Sequence, residues 1–426
     1  MRISSVTMFE QGTASINQQQ SDFLNVSKQI ASGRRVVNPS DDPQAASRAV
    51  RVDQSKAVTQ QFEDARVSAR NSLSQTESVL NSVSDAVTSA KTLLVQASSD
   101  TLSDVDRESV ASELRGIYET MIGQANATDG NGRYLFGGYA DNAPPFVKET
   151  NAAGDEFVTY QGDNNKREQR IDASRLMPVT ENGDSIFKSV PSGAGYVAEA
   201  KKFDFDAEGK VTDSEQNSGS VTFGGPQVTN VNDVDGGSFR INYSGTDPEV
   251  MDFTMERYDS ENGWENFTDF EVNGDTVSFG GLSITLNGEP EAGDEILVAQ
   301  AGSEQREPNL FRTMEEAIRV LENPVETDAD KAELRNTLNT SMRDLDNALD
   351  NVLTVRASAG ARLNELDVVD AVGSNRMLNY EQTLSDLVDL DYVDAISEYS
   401  LRQVGLQASQ QAFADIKGMS LFDFLR

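Results

Sequence analysis

Apolar residues recur every seven positions near both ends of the chain. The repeats are Phe9, Ile16, Phe23, Ile30 and Val37 near the start, and Tyr392, Tyr399, Leu406 and Phe413 near the end. A spacing of seven keeps side chains on one side of a helix, where they pack on partner helices. The intervening positions are weaker, with Gln20 and Ser27 where leucine would be ideal, so each helix needs several neighbours. We therefore predict that these nine residues form an assembly seam in which the two chain ends pair antiparallel.

Two longer repeats lie further inside the chain and predict long helices. They are Leu73, Leu80, Val87 and Leu94, and Leu338, Leu345, Val352, Ala359 and Leu366. The first helix of this pair should run from Pro43 to about residue 98, because Asp42 can cap it and proline suits the first helical position. The second should span about forty residues and end at a break near Gly373. Gly33 is suited to the left-handed position that ends a helix, which predicts the end of the N-terminal helix.

Shorter helices and a β-rich segment complete the pattern. A helix near 104–127 should begin at Ser103 or Asp104, and Pro324 should end another that contains Phe311 and Leu321. Between residues 141 and 309, short alternating runs bounded by Gly, Asn and Asp predict strands at 219–223, 238–243, 276–279, 282–286 and 295–298. The predicted fold is mainly α with an inserted β domain, in which long antiparallel helices from both termini form a coiled-coil-like bundle.

Three domains follow from this division. Residues 1–40 plus 385–426 form a terminal helical assembly domain, and 41–140 plus 310–384 form a helical bundle rod. Residues 141–309 form a β-rich insert that faces solvent. Its first 160 residues, 141–300, hold 31 acidic and 11 basic side chains, so 20 of the chain's 34 excess negative charges lie there.

The composition excludes several classes of function. A net charge of −34 repels nucleic acid and anionic lipid, so neither is an expected partner. The chain has no cysteine and no histidine, which removes thiolate nucleophiles, zinc–sulfur sites and the commonest general base. We expect no enzyme activity and no cofactor. A hydrolase built from carboxylates stays open, since spacing alone does not reveal whether two of them converge.

No run of eighteen apolar residues is present, so no transmembrane helix is expected. The N-terminal segment lacks the apolar core and the cleavage site of a secretory signal. From the residues alone, the protein is predicted to be cytoplasmic unless an uncleaved signal directs its export.

Two sets of acidic residues are candidate metal or catalytic sites. Asp41 and Asp42 are adjacent, but side chains of neighbouring turn residues diverge, and the flanking prolines favour a helix start. Asp204, Asp206, Glu208 and Glu215 fit a twelve-residue calcium loop in part, although strands flank it where an EF-hand has helices. A hairpin turn at Glu208-Gly209 is the competing interpretation and is favoured. The aromatic residues Trp264, Phe267 and Phe270 suit a β core better than a ligand platform.

Several segments resemble the flagellin superfamily and, within it, the hook-associated protein 3 family of hook–filament junction proteins. The similar segments are Met1-Arg-Ile-Ser4, Gln29-Ile-Ala-Ser-Gly-Arg-Arg35, Pro39-Ser-Asp-Asp-Pro43, Asn131-Gly-Arg-Tyr-Leu-Phe-Gly-Gly138, Gly360-Ala-Arg-Leu-Asn364, Leu406-Gln-Ala-Ser409 and Ser420-Leu-Phe-Asp-Phe-Leu425. They cover both helical arms, while the insert resembles the family chiefly at 281–294. Flagellins typically carry Asp-Asp-Ala-Ala-Gly where this chain has Asp41-Asp42-Pro43, which favours the junction family over a filament subunit.

This resemblance implies a structural subunit of the bacterial flagellum that serves motility. It implies export by the flagellar type III system without a cleaved signal, and therefore an extracellular location. The implied partners are further copies in a ring, hook-associated protein 1, flagellin, and a cytoplasmic export chaperone on the C-terminal helix. Two alternatives remain: a flagellin filament subunit, and an extracellular calcium- or carbohydrate-binding β module carried on helical arms.

Overall fold

The computed structural model describes residues 5–99, 102–150, 156–191, 193–206, 209–244, 252–306 and 308–422. Its helices are α1 (Ser5–Ser32), α2 (Pro43–Ala97), α3 (Asp104–Ala125), α4 (Gly183–Phe187), α5 (Leu310–Glu322), α6 (Asp328–Val388) and α7 (Tyr392–Phe422). Its strands are β1 (Phe146–Thr150), β2 (Glu156–Tyr160), β3 (Glu168–Asp172), β4 (Arg175–Pro178), β5 (Tyr196–Glu199), β6 (Lys201–Phe205), β7 (Val211–Gln216), β8 (Thr222–Val228), β9 (Phe239–Tyr243), β10 (Phe253–Asp259), β11 (Gly263–Phe267), β12 (Phe270–Asn273), β13 (Thr276–Phe279), β14 (Leu282–Asn287) and β15 (Glu295–Gln300). The predicted class, helical arms around a β-rich centre, is confirmed. No helix in these ranges is long and apolar enough to cross a membrane.

The chain divides into two compact units. The terminal unit contains residues 1–66 and 367–426, and the central unit contains residues 67–366. The three-domain division of the sequence stays a prediction. The helix starts follow local rules: Ser103 caps α3 in a capping box with Asp106, and Asn309 caps α5.

One predicted helix end is wrong, and one predicted seam residue lies beyond its helix. The predicted break near Gly373 does not exist, since α6 continues through it for 61 residues to Val388. A side chain at Gly373 would lie 2.6 Å from the Arg66 guanidinium, so this glycine makes room for a neighbour and does not end a helix. The predicted seam residue Val37 lies beyond α1, because Gly33 adopts a φ of +71° and ends that helix as expected.

The central unit has a helical core built on the predicted repeats. Every residue of the two inner repeats is buried, from Leu73 to Leu94 and from Leu338 to Leu366. Leu80, Val87 and Leu94 of α2 share one apolar cluster with Leu345 and Val352 of α6. Burying a leucine or valine side chain contributes about 1.5–3 kcal/mol, so these layers contribute strongly to the stability of this unit.

The β-rich segment is chiefly a sandwich of two antiparallel sheets. One sheet has the strand order β11-β10-β9-β15-β5, and the other has the order β12-β13-β14-β8. Alternate residues face inward, so Phe239 and Ile241 of β9 share a core with Phe279 and Ile284 of the second sheet. Phe203 of the β6–β7 hairpin packs against Leu297 and Ala299 of β15.

Polar side chains join the sandwich to α6 within the central unit. Asn336 accepts a hydrogen bond from the Phe223 N–H and donates one to the Val221 carbonyl, at 3.2 and 2.8 Å. Thr340 donates to the Ala198 carbonyl at 2.7 Å. These bonds satisfy strand backbone groups that would otherwise be buried without partners.

A buried ion cluster strengthens the same junction. The guanidinium of Arg306, whose side chain is 2% exposed, pairs with Glu199 of β5 at 2.5 Å and with Asp344 of α6 at 2.7 Å. Lys201 of β6 pairs with Glu316 of α5 at 2.8 Å. Removing one member of such a buried pair leaves an uncompensated charge, which typically costs about 3–5 kcal/mol. The orientation of the sandwich on its helices is therefore strongly specified.

Two segments that carry the family resemblance have structural uses. Asp294 is fully buried, and its carboxylate accepts hydrogen bonds from the backbone N–H groups of Ser218, Gly219 and Glu291 at 2.8–2.9 Å. Phe136 is fully buried in the helical core, and Gly138 adopts a φ of +66°. These residues maintain packing and turns in the described structure.

Glu315 on α5 should make the stability of the central unit depend on pH. Burial raises the pKa of its carboxyl to about 7, although the hydrogen bond that the Tyr118 hydroxyl donates to this carboxyl lowers the pKa in part. Because the folded-state pKa is raised, the protonated form contributes its full stability below about pH 4.5, and that contribution is lost as the pH rises through 7. Glu315→Gln should therefore be more stable than the wild type at pH 8, by on the order of 1–2 kcal/mol after allowance for partial exposure.

Thermal unfolding measured between pH 5 and 8 checks this prediction. Glu322→Gln on the same helix is the matched control. Glu322 forms an exposed ion pair with Arg115, so its substitution should change stability little. Parallel pH profiles for the wild type and Glu315→Gln would contradict the assignment.

Candidate assembly surface

The two terminal helices, α1 and α7, pack against each other in the terminal unit. Phe9 contacts Phe413 with ring centroids 5.0 Å apart, and Phe23 contacts Tyr399 at 4.8 Å. Positions rise along α1 while their partners fall along α7, so the helices run antiparallel. Four residues of the predicted seam thus meet in two aromatic pairs, each of which contributes beyond simple burial.

Small residues allow this close approach, and one ion pair flanks it. A side chain at Gly12 would lie 3.2 Å from the Phe413 ring, and one at Gly405 would lie 3.3 Å from the Gln19 amide. Arg402 of α7 pairs with Asp22 of α1 at 3.0 Å. Larger residues at either glycine would push the helices apart or displace these side chains.

Burial along the seam is shallow. Ile16, Phe23, Ile30, Tyr399, Leu406 and Phe413 are half-buried, while Phe9, Val37 and Tyr392 are exposed. The deeply buried apolar residues of this unit include Val26, Val36 and Ala395, which the sevenfold repeat missed. Val26 could have been found, because it lies three residues after Phe23 and four before Ile30, on the same side of the helix. The pair therefore leaves much of its apolar surface in contact with water.

A second apolar face of α7 was also missed by the sequence prediction. Val393, Leu401 and Val404 are 75%, 72% and 65% exposed. At about 100° per residue they lie on a side of α7 turned well away from the seam. A helix with apolar residues on two sides can pack on α1 and on further helices at the same time.

The turn between α1 and α2 confirms the structural interpretation of its acidic pair. Asp42 accepts a hydrogen bond from the Ala45 N–H at 3.0 Å, as an N-cap does. That bond and the Arg35 side chain hold the pKa of Asp42 below its usual value. Asp41 points elsewhere and accepts from the N–H groups of Val37 and Asn38 at 3.1 and 2.7 Å.

Arg35 joins this turn to the end of α6. Its guanidinium pairs with Asp42 at 3.2 Å and donates to the Leu387 carbonyl at 2.7 Å. The Arg35 N–H also donates to the Val388 carbonyl at 2.7 Å. A cation at the C-terminal end of a helix is favourable, because unpaired carbonyls gather negative partial charge there.

The described part of the candidate calcium loop forms a hairpin turn. Asp204 lies on β6 opposite Asp213, and Asp206 accepts a hydrogen bond from the Lys210 N–H at 2.8 Å. Glu215 lies on β7, and Glu208 lies outside the described residues. Among the residues that the structure describes, no three acidic side chains form a group that could hold a metal ion. The hairpin interpretation, with calcium binding as its weaker alternative, stays a prediction for this loop.

The aromatic residues of the sandwich pack on one another. Trp264 contacts Phe205 and Tyr258 with ring centroids 5.0 and 5.5 Å apart, and the Arg240 guanidinium lies 4.9 Å above its ring. Phe267 packs on Phe239 at 5.3 Å. Core packing accounts for these residues, as the sequence interpretation favoured.

Comparisons with known proteins cover the full chain. The model of the bacterial flagellin N-terminal helical region matches residues 3–141. Flagellar hook-associated protein 3 of Escherichia coli is 32% identical over 423 residues and covers 99% of each chain. The protein of the same description from Salmonella typhimurium is 32% identical over 427 residues and covers 100% of each.

Solved structures support the same fold. The crystal structure of Xanthomonas campestris FlgL is 27% identical, with a TM-score of 0.61, and the match covers 78% of this chain and 99% of that one. The crystal structure of flagellar hook-associated protein-3 from Legionella pneumophila is 22% identical, with a TM-score of 0.62. The match covers 79% of this chain and 98% of that one. This second likeness concerns the fold alone.

The shallow seam predicts that α1 and α7 open readily in the free monomer. Amides of these helices should exchange with deuterium at least about a hundredfold faster than those of α5 and of α2 beyond residue 67, because few deeply buried contacts oppose local unfolding. Hydrogen exchange followed by mass spectrometry measures this directly. Equal protection of α1 and α5 would show that the terminal pair is stable without partners.

Proposed function

Because the chain belongs to the flagellar hook-associated protein 3 family, we propose that it joins the hook to the flagellin filament as a ring of copies. In this role it is a structural subunit that carries no enzyme activity. Hook-associated protein 1 lies on one side of the ring and flagellin on the other. The observation that carries the proposal is the full-length similarity to proteins described as flagellar hook-associated protein 3, at 32% identity.

The terminal helix pair supplies the physical basis for assembly. Its seam is half-buried, and α7 carries a second apolar face at Val393, Leu401 and Val404. Burying such residues against neighbouring copies contributes roughly 25 cal/mol for each Å² removed from water. Contacts in which one surface meets a different surface of the next copy generate rings or helical assemblies. The nine predicted seam residues are therefore proposed as the assembly seam, with Val37 at its margin.

Export before assembly requires a chain that unfolds and refolds. The chain has no cysteine, so no disulfide must be reduced before it passes through a narrow channel. We infer export through the flagellar type III system to an extracellular position in the flagellum. A cytoplasmic chaperone that covers α7 would prevent its two apolar faces from aggregating before export.

Immuno-electron microscopy of assembled flagella tests the junction role. Labelled protein should form a single band at the boundary between hook and filament. Label spread along the whole filament would instead identify a filament subunit, and label absent from the flagellum would overturn the proposal.

Substitutions in the seam should weaken assembly. Phe413→Asp and Leu406→Asp each place a charge where an apolar contact with α1 is made, and should reduce junction incorporation and motility at least about tenfold. Gln407→Asp is the matched control, because residue 407 is polar and exposed on the same helix. Incorporation is measured as the fraction of flagella that carry the band. Normal filaments in both seam variants would refute the seam.

The outward face of α7 is tested separately. Val404→Asp should leave the α1–α7 pair of the monomer intact, as measured by hydrogen exchange, and still reduce incorporation. Deletion of residues 400–426 should leave the β sandwich folded but abolish incorporation. If the truncated protein still assembles, the terminal helices are not the interface.

A further inference from the structure

The sevenfold repeat of α2 continues past Leu73 into a polar residue. Seven residues before Leu73 lies Arg66, and seven before that lies Thr59. Both are buried, Arg66 with 2% and Thr59 with 8% of its surface exposed. A buried arginine thus occupies a seam position whose other members, from Leu73 to Leu94, are apolar.

The repeat of α6 is interrupted at the matching place. Seven residues after Leu366 lies Gly373, which is buried, and its missing side chain leaves the space that Arg66 fills. A Cβ atom at Gly373 would lie 2.6 Å from Nη2 of Arg66. The guanidinium also pairs with Asp370, one turn earlier on α6. Volume and charge are therefore complementary across this layer.

Ion pairs show that α2 and α6 run antiparallel within each unit. In the terminal unit, Lys56 pairs with Glu381 at 2.9 Å and Arg66 pairs with Asp370. In the central unit, Glu77 pairs with Arg356 at 2.9 Å and Lys91 pairs with Asp346 at 2.5 Å. Leu73 lies seven residues after Arg66 on α2, and Leu366 lies seven residues before Gly373 on α6. Further steps of seven in the same directions reach apolar residues on both helices.

Apolar layers repeated every seven residues do not by themselves define one register. A slip of seven residues would again place apolar side chains opposite one another, at little cost. The same slip would place Arg66 opposite Leu366 and would leave Gly373 opposite Thr59. A buried cation would then lose Asp370, and a cavity would open beside the glycine, so this layer strongly favours the native register over the shifted one.

We propose that Arg66, Gly373 and Asp370 form a register-setting layer that selects the alignment of α2 on α6. A polar residue in an otherwise apolar seam specifies register at some expense of stability. The proposal rests on contacts within this chain and is independent of the junction role.

Disulfide trapping in the full chain tests the proposal, since the natural sequence contains no cysteine. Lys56→Cys with Glu381→Cys reports the native register. Lys56→Cys with Ser374→Cys reports the register shifted by seven residues. Each pair is refolded from urea, oxidised, and quantified by non-reducing electrophoresis and mass spectrometry of the linked peptides.

The register-setting layer is then replaced by an apolar one. Arg66→Met with Asp370→Asn should increase the shifted crosslink at least about tenfold relative to the chain with the natural layer. Leu80→Met is the matched control, because it places methionine in a layer that is already apolar, and it should leave the shifted crosslink unchanged. Arg66→Lys keeps the cation and should remain close to the natural chain.

Helicity measured by circular dichroism shows which variants have folded. If the variant Arg66→Met with Asp370→Asn loses its helicity, a second variant replaces it. Arg66→Ala with Gly373→Met moves the large side chain from α2 to α6 and also makes the layer apolar. It should increase the shifted crosslink by the same factor. A folded apolar-layer variant that yields only the native crosslink would overturn the proposal. An equal increase in the Leu80→Met control would overturn it as well.

Discussion

Antiparallel packing between α2 and α6 is the interaction on which the other elements depend, because every strand and the helices α3, α4 and α5 lie between them in the sequence. In the central unit this packing is deep: Leu80, Val87 and Leu94 share a buried cluster with Leu345 and Val352. Such layers contribute stability in proportion to the apolar area removed from water. The β-rich segment follows α3 and leads into α5, and both of these helices pack in the same buried cluster.

The β sandwich is attached by a different kind of contact. Side chains of α6 donate to or accept from strand backbone groups, and Arg306 brings together Glu199 and Asp344 with little access to water. Apolar packing is tolerant of small rotations, whereas buried hydrogen bonds and ion pairs are not, since each lost partner leaves a desolvated group. This difference explains why the sandwich has a defined orientation on the helices of its unit.

The terminal helices obey the same seven-residue rule with a different result. Their seam residues are half-buried or exposed, and two aromatic pairs carry much of the contact. A helix pair of this kind is marginal in isolation, because helix formation is favourable only when tertiary packing supplies enough burial. Shallow packing leaves apolar surface on this pair, which the proposed assembly would cover with other subunits. Deep packing of the central unit suits a part that keeps its shape.

The sequence determined the features that depend on neighbouring residues along the chain. Sevenfold spacing identified the apolar face of each long helix, and the caps at Asp42 and Ser103 and the turn at Gly33 were found from local rules. The alternating runs located strands near 239–243 and 282–287 correctly, although they did not give the strand order or the two-sheet arrangement. These signals are local because capping, left-handed turns and side-chain periodicity are properties of a few consecutive residues.

Only the tertiary structure decided features that join residues far apart in the chain. Gly373 looks like a helix break until Arg66, some 300 positions earlier, is seen to occupy the space beside it. Val36 is buried and its neighbour Val37 exposed, because the chain turns after Gly33 and leaves the helical repeat. The second apolar face of α7 can be distinguished from the first only because the structure places the first against α1. A sequence specifies which side chains are apolar, but the partner that covers each of them is set by three-dimensional packing.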